Sequence, residues 1–169
     1  MEVYTAQYLS PLGAMTLACD NQAILGLWFN DQKYFGSSLP DVAVMAQTTE
    51  HPLLKQATRW LDIYFSGHNP NFLPPLRVNS TPFRKRVCTL MLTIPYGKTM
   101  TYGELARILA KEKGLEKMSA QAVGTAVGHN PICLMIPCHR VVGSDGSLTG
   151  YAGGLDRKIK LLELEGLKV

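Results

Sequence analysis

Residues 101–128 read TYGELARILAKEKGLEKMSAQAVGTAVG, and this stretch decides the fold of the second half of the chain. Thr101 and Glu104 have the spacing of a capping box, which predicts a helix over residues 102–111. After a glycine and a polar stretch, a serine caps a second, short helix over residues 119–127. Two short helices joined by a polar turn predict a helix-turn-helix unit.

The flanking segments predict two more helices and a strand. A threonine-proline pair starts a helix over residues 81–94. The continuous apolar run Ile132–Ile136 lies between two prolines and predicts a buried strand. A last helix is predicted over Leu155–Glu165, with three side chains facing inward: Leu155, Ile159 and Leu162.

The first half predicts a small sheet covered by one helix. Three short apolar runs separated by turn residues predict antiparallel strands over Val3–Tyr8, Ala14–Cys19 and Ala23–Phe29. In His51–Ser66 the apolar residues recur with helical spacing, which predicts one amphipathic helix. His51 lies at the boundary of this helix, where capping is its expected role.

The segment Asn69–Pro75 is rich in proline and has no helical period, so it predicts a linker. We therefore expect two domains, residues 1–75 and 80–169. We expect the fold class to be α+β, a small sheet-and-helix domain followed by a helical domain with a helix-turn-helix unit.

Composition narrows the function classes. The chain has 169 residues, of which 46% are hydrophobic and 18% charged, enough apolar side chain for a core and too little charge for disorder. It has no apolar run of about 18 residues and no signal-peptide pattern at its start. Four irregularly spaced cysteines do not suggest a disulfide framework. We expect a soluble cytoplasmic protein that is not associated with a membrane.

Charge is distributed unevenly between the two halves. Residues 1–79 contain four Lys or Arg against six Asp or Glu, whereas residues 80–169 contain 13 against seven. The second half is therefore the candidate for binding a polyanion such as nucleic acid, although a solvated basic face would have the same composition.

The segment Cys138-His139-Arg140 is the most informative about a possible reaction, because it places a thiol next to a base and a cation. A thiol attacks as its thiolate, and a nearby base together with positive potential favours that form. In an extended chain Cys138 and His139 point to opposite sides, so a bridging water is more plausible than direct contact. The same residues also fit an inert buried thiol. A zinc site is disfavoured because too few ligands have compatible spacing.

The helix over residues 119–127 consists almost entirely of small side chains. A helix that reads bases normally carries Arg, Asn or Gln, and here only Gln121 has comparable reach. The helix could be packed in the core. Alternatively, its smooth surface could enter a groove closely, with phosphate contacts supplying most of the affinity.

The second half resembles the O6-alkylguanine-DNA alkyltransferases, a family of suicide DNA-repair proteins. The likeness rests on the signature IPCHRVVG at residues 136–143 and on further motifs in the same order as in the family. These motifs are TPF at 81–83, IPYGKT at 94–99, TYG at 101–103, AVG at 122–124, GHNP at 128–131, GYAGGL at 150–155 and LLELEG at 161–166. The first half is similar only in its plan, which the family builds as a ribonuclease-H-like domain. For the second half, the resemblance implies a winged helix-turn-helix domain.

The resemblance implies a catalytic set. Cys138 would accept the alkyl group from guanine O6, with single turnover. His139 would act as the base through a water, and Glu165 would orient it. Tyr102 would donate to the leaving guanine and help to rotate the nucleotide out of the stack, and Asn130 would brace the turn before the active site.

The resemblance also implies a set of residues that contact DNA or the base. The helix capped by Ser119 would enter the minor groove with Gln121 and Ala122, and Arg140 would give structural support beside the site. The flipped base would lie against the backbone of Val141 and Ala152 and against Tyr151. The partner would be double-stranded DNA that contains alkylated guanine, with small O4-alkylthymine lesions as a further substrate, and the protein would act as a monomer.

Two positions depart from the family pattern. Gln121 stands where an arginine often fills the gap left by the flipped base, so we expect slower lesion capture. Cys88 stands where tryptophan is common, which suggests a packing change. Relatives that bind zinc use Cys and His pairs in the first domain, and only one cysteine occurs here. We therefore expect no metal and no cofactor.

Three alternatives belong to other classes of protein. A lesion sensor would flip alkylated bases and recruit other repair, but it would not need Cys138. A transcriptional regulator would use base-reading side chains on a dimeric helix-turn-helix. A cysteine hydrolase would turn over repeatedly and would not need the basic half.

Overall fold

A computed structural model of the chain describes residues 2–40 and 44–169 and divides into two compact units. The first unit comprises the described residues up to Ser80 together with Pro131–Met135. The second unit comprises Thr81–Asn130 and Ile136–Val169. Residues 131–135 therefore pack with the first unit, although in the sequence they lie within the second half.

The first unit is built on a four-stranded mixed sheet. Its strands are β1 (Glu2–Ser10), β2 (Gly13–Cys19), β3 (Ile24–Phe29) and β4 (Val44–Gln47), in the order β3-β2-β1-β4. β1, β2 and β3 form the predicted antiparallel meander, whereas β4 pairs in parallel with β1. The sequence did not predict β4, because four residues are too few to show a strand pattern.

One helix, α1 (Pro52–Phe65), covers this sheet, as predicted. His51 caps it, since its Nδ1 accepts a hydrogen bond from the Leu53 N–H at 3.2 Å. The buried face consists of Leu54, Ala57, Trp60, Leu61 and Tyr64.

The second unit is mainly helical. It contains α2 (Pro82–Met91), α3 (Tyr102–Glu112), α4 (Ala120–Gly128) and α5 (Leu155–Leu164). α4 packs against both α2 and α3. Two short strands, β5 (Met100–Thr101) and β6 (Val141–Val142), pair in parallel. The structure confirms the two predicted caps: Thr101 accepts from the Glu104 N–H at 3.0 Å and Ser119 from the Ala122 N–H at 3.2 Å. None of the helices in the described part of the chain is long and apolar enough to cross a membrane.

The predicted strand over Ile132–Ile136 is wrong, although the run is buried as expected. Ile132 makes a single bridge to Leu27 of β3, and the chain then turns through Leu134 at a φ of 68°. Tight turns follow, in which the Met135 N–H donates to the Cys133 carbonyl. A short apolar run indicates burial, but it does not distinguish a strand from a buried turn.

The predicted inward face of α5 is wrong at its first position. Leu155 is 44% exposed, and the buried face instead runs through Lys158, Leu161 and Leu162. Leu155 is the first residue of the helix and directly follows Gly154, which has a φ of 95°.

Candidate active site

Cys138 lies in a single 3-10 turn, Cys138–Arg140, that leads into β6. The Arg140 N–H donates to the Pro137 carbonyl at 3.0 Å, and the Cys138 N–H donates to the Ile136 carbonyl at 2.8 Å. The backbone is therefore folded at the cysteine. The expectation that Cys138 and His139 lie on opposite sides of an extended chain does not hold. The Cys138 side chain is buried.

The carboxylate of Glu165 organises this turn. Its Oε2 accepts from His139 Nε2 at 2.6 Å and from Arg140 Nη2 at 3.2 Å. Its Oε1 accepts from Arg140 Nε at 2.8 Å and from the Gly97 N–H at 2.9 Å. One buried carboxylate therefore holds the His139 imidazole, the neighbouring guanidinium and a backbone turn.

The electrostatics of the pair favour a neutral imidazole beside an ionised carboxylate. Complete burial lowers the pKa of His139, and the opposing effect of Glu165 does not reverse this. Burial alone would raise the pKa of Glu165, but hydrogen bonds from His139 and Arg140 lower it to about 2. Because the ionised Glu165 accepts at Nε2, that nitrogen carries the hydrogen of the neutral ring. Nδ1 is then the nitrogen that can accept a proton.

Arg140 is buried, and each of its three guanidinium nitrogens donates a hydrogen bond inside the unit. Besides Glu165 it donates to the Ile94 carbonyl at 2.8 Å, and it lies 5.6 Å from the ring centroid of Tyr96. This placement fits structural support, the role that the family resemblance implies.

Three further side chains lie within electrostatic range of the Cys138 sulfur. The charge of Cys138 contributes to the pKa values of Cys88, Tyr102 and Lys158, although burial is the larger cause in each case. Burial raises the pKa of Cys88 to about 12, so this neighbouring thiol stays protonated. Burial also raises the pKa of Tyr102, which keeps its phenol as a hydrogen-bond donor.

Lys158 was not identified from the sequence, although it is completely buried. Its Nζ donates to the carbonyls of Val141 at 2.7 Å, Gly150 at 3.1 Å and Thr149 at 3.2 Å. Burial lowers its pKa to about 8. Its spacing of four residues from Leu162 on an amphipathic helix was the signal that could have revealed its burial.

Asn130 connects the end of α4 with the approach to the cysteine. Its Nδ2 donates to the Ile136 carbonyl at 2.7 Å, and the residue is buried. This carbonyl lies two residues before Cys138, so Asn130 is placed to hold the turn into the site.

The exposed face of α4 is formed by small or uncharged side chains. Gln121, Ala122 and Thr125 are exposed, whereas Val123, Ala126 and Val127 are buried. Thus the helix is neither wholly in the core nor wholly at the surface. Ser119 is exposed as its N-cap.

A cavity of about 530 Å³ opens between α3, α4 and the loop before α5. Its lining includes Tyr102, Gln121, Gly124, Thr149 and Gly150. Two predicted site residues therefore share this cavity. The predicted base-contacting residues Val141, Tyr151 and Ala152 are not among its lining residues in the described part of the chain.

Within residues 2–40 and 44–169, no three His, Cys, Asp or Glu side chains are grouped so that they could hold a metal ion.

Comparison with protein families gives a match for each half of the chain. Residues 3–78 match the ribonuclease-like domain of 6-O-methylguanine DNA methyltransferase. Residues 82–167 match the DNA-binding domain of the same protein. The chain therefore belongs to the 6-O-methylguanine DNA methyltransferase family, which confirms the resemblance and the α+β fold class expected from the sequence.

Individual relatives extend over nearly the whole chain. A methylated-DNA–protein-cysteine methyltransferase of Methanosarcina acetivorans is 39% identical over 164 residues, covering 97% of this chain and 99% of that protein. One of Mycobacterium tuberculosis is 40% identical over 159 residues, covering 92% and 88%. A crystal structure of the M. tuberculosis protein in complex with DNA matches with a TM-score of 0.78 at 37% identity, covering 96% of this chain and 92% of that one.

Proposed function

We propose that this protein repairs DNA directly, by moving the alkyl group of O6-alkylguanine onto its own Cys138. The observation that carries this proposal is the Cys138-His139-Glu165 arrangement. The buried thiol of Cys138 is followed in the sequence by the neutral imidazole of His139. The Nε2 of this imidazole donates a hydrogen bond to the ionised carboxylate of Glu165. Family membership and the named activity of the relatives support the same reaction.

The chemistry follows from these residues. The Cys138 thiol loses its proton to His139 Nδ1, through a water, and the thiolate attacks the alkyl carbon. A carbon–sulfur bond forms as the bond between that carbon and guanine O6 breaks, and the electron pair moves into the guanine ring. Tyr102 donates a hydrogen bond to the ring and stabilises the leaving group. None of the groups described around Cys138 could hydrolyse the carbon–sulfur bond of the thioether, so each molecule reacts once.

The target atom is inside a base pair, so the nucleotide must leave the stack at a cost of a few kcal/mol. We place α4 in the minor groove, where the small exposed side chains Ala122 and Thr125 allow close approach. Gln121 then fills the gap, and the cavity beside Tyr102 and Gln121 is the entrance through which the base reaches Val141, Tyr151 and Ala152. The proposed site needs side chains from one chain alone, so a monomer is sufficient for the reaction.

The test is the intact mass of the protein after incubation with a duplex that contains one O6-methylguanine. We expect a gain of about 14 Da, mapped to Cys138 by peptide analysis, with no second turnover. C138A should bind the same duplex and gain no mass. C88A is the matched control, since it removes the neighbouring buried thiol, and it should still react.

The other outcomes contradict the proposal in different ways. Lesion-preferring binding without a mass gain would make the protein a sensor. A gain that persists in C138A would assign the nucleophile elsewhere. If the protein shows no mass gain and no preference for the lesion, Cys138 is a structural thiol.

A further inference from the structure

Lys158 is the buried charged residue that the proposed reaction leaves without a role. It lies on α5 with 0% exposure, on the same face as Leu161 and Leu162. A buried ammonium group is costly unless its donors are satisfied, so its position requires a reason. That reason lies in the three carbonyls that it contacts.

An ammonium group has three N–H donors, and Lys158 has three acceptors. The Val141 carbonyl belongs to β6, which follows the turn of Cys138. The carbonyls of Thr149 and Gly150 belong to the loop that lines the cavity. Lys158 thus ties the strand after the nucleophile to the rim of the cavity, and it keeps no donor for a substrate.

The Thr149 carbonyl has a second donor, the hydroxyl of Tyr102. The Tyr102 Oη donates to it at 3.3 Å, and Lys158 Nζ donates to the same oxygen at 3.2 Å. Lys158 Nζ also lies 5.8 Å from the centroid of the Tyr102 ring, within range of a cation–π contact. Lys158 therefore interacts with the ring of Tyr102 directly and with its hydroxyl through the Thr149 carbonyl.

We propose that Lys158 is a positioning residue for Tyr102: it fixes the Thr149 carbonyl on which the Tyr102 hydroxyl rests before the base enters. When the hydroxyl turns from Thr149 to the guanine, Lys158 still satisfies that carbonyl, so the loop keeps its place. Lys158 thus acts on leaving-group stabilisation through Tyr102 and does not touch the substrate. This inference rests on the proposed alkyl transfer.

A double-mutant cycle tests this coupling. The single-turnover rate constant for a duplex with one O6-methylguanine is measured for the unmodified protein, K158M, Y102F and K158M/Y102F. We expect K158M to slow transfer about tenfold when Tyr102 is present and less than about threefold in Y102F. Duplex affinity should change less than about twofold, because Lys158 is buried away from DNA. K160M changes an exposed lysine of the same helix and should leave the rate unchanged.

The control outcomes separate this inference from the proposed function. If the unmodified protein transfers no alkyl group, the proposed function fails. If it does transfer, and K158M slows transfer equally with Tyr102 and in Y102F, Lys158 has only a structural role. If the transfer rate of K158M equals that of K160M, Lys158 has no role in the reaction. Either result would overturn the inference. Should K158M not fold, the same cycle with K158Q, whose amide has two N–H donors, decides on the same criterion.

Discussion

Glu165 shows how much of the site depends on a single side chain. Its two oxygens accept four hydrogen bonds, from His139, Arg140 and the Gly97 backbone. Burial alone would raise the pKa of Glu165, but the hydrogen bonds from His139 and Arg140 lower it to about 2, so the carboxylate is charged at neutral pH. A charged Glu165 in turn fixes the tautomer of His139 and leaves Nδ1 as the proton acceptor.

Burial of His139 leads to a prediction about pH. Its pKa lies below the ordinary value of 6.5, so the imidazole stays neutral, and able to act as a base, as the pH falls through 6.5. We expect the single-turnover rate constant at saturating protein to change less than about twofold between pH 7.5 and 6.5. Duplex affinity measured over the same range separates binding from transfer. A loss of rate with a midpoint at or above pH 6.5 would contradict a neutral, buried base.

Gln121 leads to a prediction about lesion capture. It is exposed on α4 and lines the cavity, but it carries no charge. We expect Q121R to raise the rate of repair in duplex DNA about threefold or more, because a longer cationic side chain holds the gap in the stack and contacts phosphate. T125R adds the same charge on the same exposed face and should raise affinity without raising the rate at saturation. An unchanged rate in Q121R would mean that another residue fills the gap.

At the scale of the elements, short turns form the centre of the site and the regular helices contribute side chains around it. The 3-10 turn at Cys138 is bonded through Glu165 and Arg140 to the turn after α2, at Gly97 and Ile94. α5 contributes Glu165 at its C-terminal end and Lys158 from its buried face. The helices thus bring these turns together, and the hydrogen bonds of Glu165 and Arg140 stabilise the turns.

Gly97 provides a test of this arrangement. Its φ is 76°, and a Cβ atom there would lie 3.3 Å from the Glu165 carbonyl oxygen. Gly114 has a φ of 65° with open space around it, so it has the same backbone requirement without the contact. We expect G97A and G114A each to lower the free energy of unfolding by about 1–2 kcal/mol. Only G97A should slow alkyl transfer, since it displaces Glu165 and with it His139.

Urea denaturation and single-turnover kinetics check both parts of this prediction. Equal transfer rates in G97A and G114A would show that the position of Glu165 tolerates the shift, and that the turn at Gly97 does not control the base.

At the scale of the whole molecule, most of the positive charge and the reactive cysteine lie in the same half of the chain. Residues 80–169 contain 13 of the 17 Lys and Arg residues, together with Cys138 and the helix-turn-helix formed by α3 and α4. The turn between these helices carries Lys117, which is exposed. Sequence-independent attraction of phosphates to this half is expected to supply most of the affinity for undamaged DNA.

The salt dependence of binding measures this contribution. We expect K117A to weaken binding to all duplexes alike and to reduce the slope of log affinity against log salt by about 1. K33A removes an exposed lysine of the acidic half and should leave the slope unchanged. Equal effects of the two substitutions would mean that Lys117 makes no phosphate contact and that binding reflects net charge alone.

The types of most helices and strands, and the identity of the reactive side chains, could be predicted from the sequence. Local signals were sufficient for the caps at Thr101 and Ser119, for the amphipathic face of α1 and for the antiparallel meander. The motifs around Cys138 were also sufficient for the family, which the two domain matches confirm. Each of these signals is contained in a short stretch of neighbouring residues.

The positions at which these groups meet became known from the tertiary structure alone. In it, the apolar run at Ile132–Ile136 forms buried turns, β4 pairs with β1, and Lys158 is buried inside the second unit. It also brought Gly97 and Glu165 together across 68 residues of chain. The physical reason is that burial and hydrogen bonding between distant segments depend on packing of the completed fold, which no local pattern of side chains records.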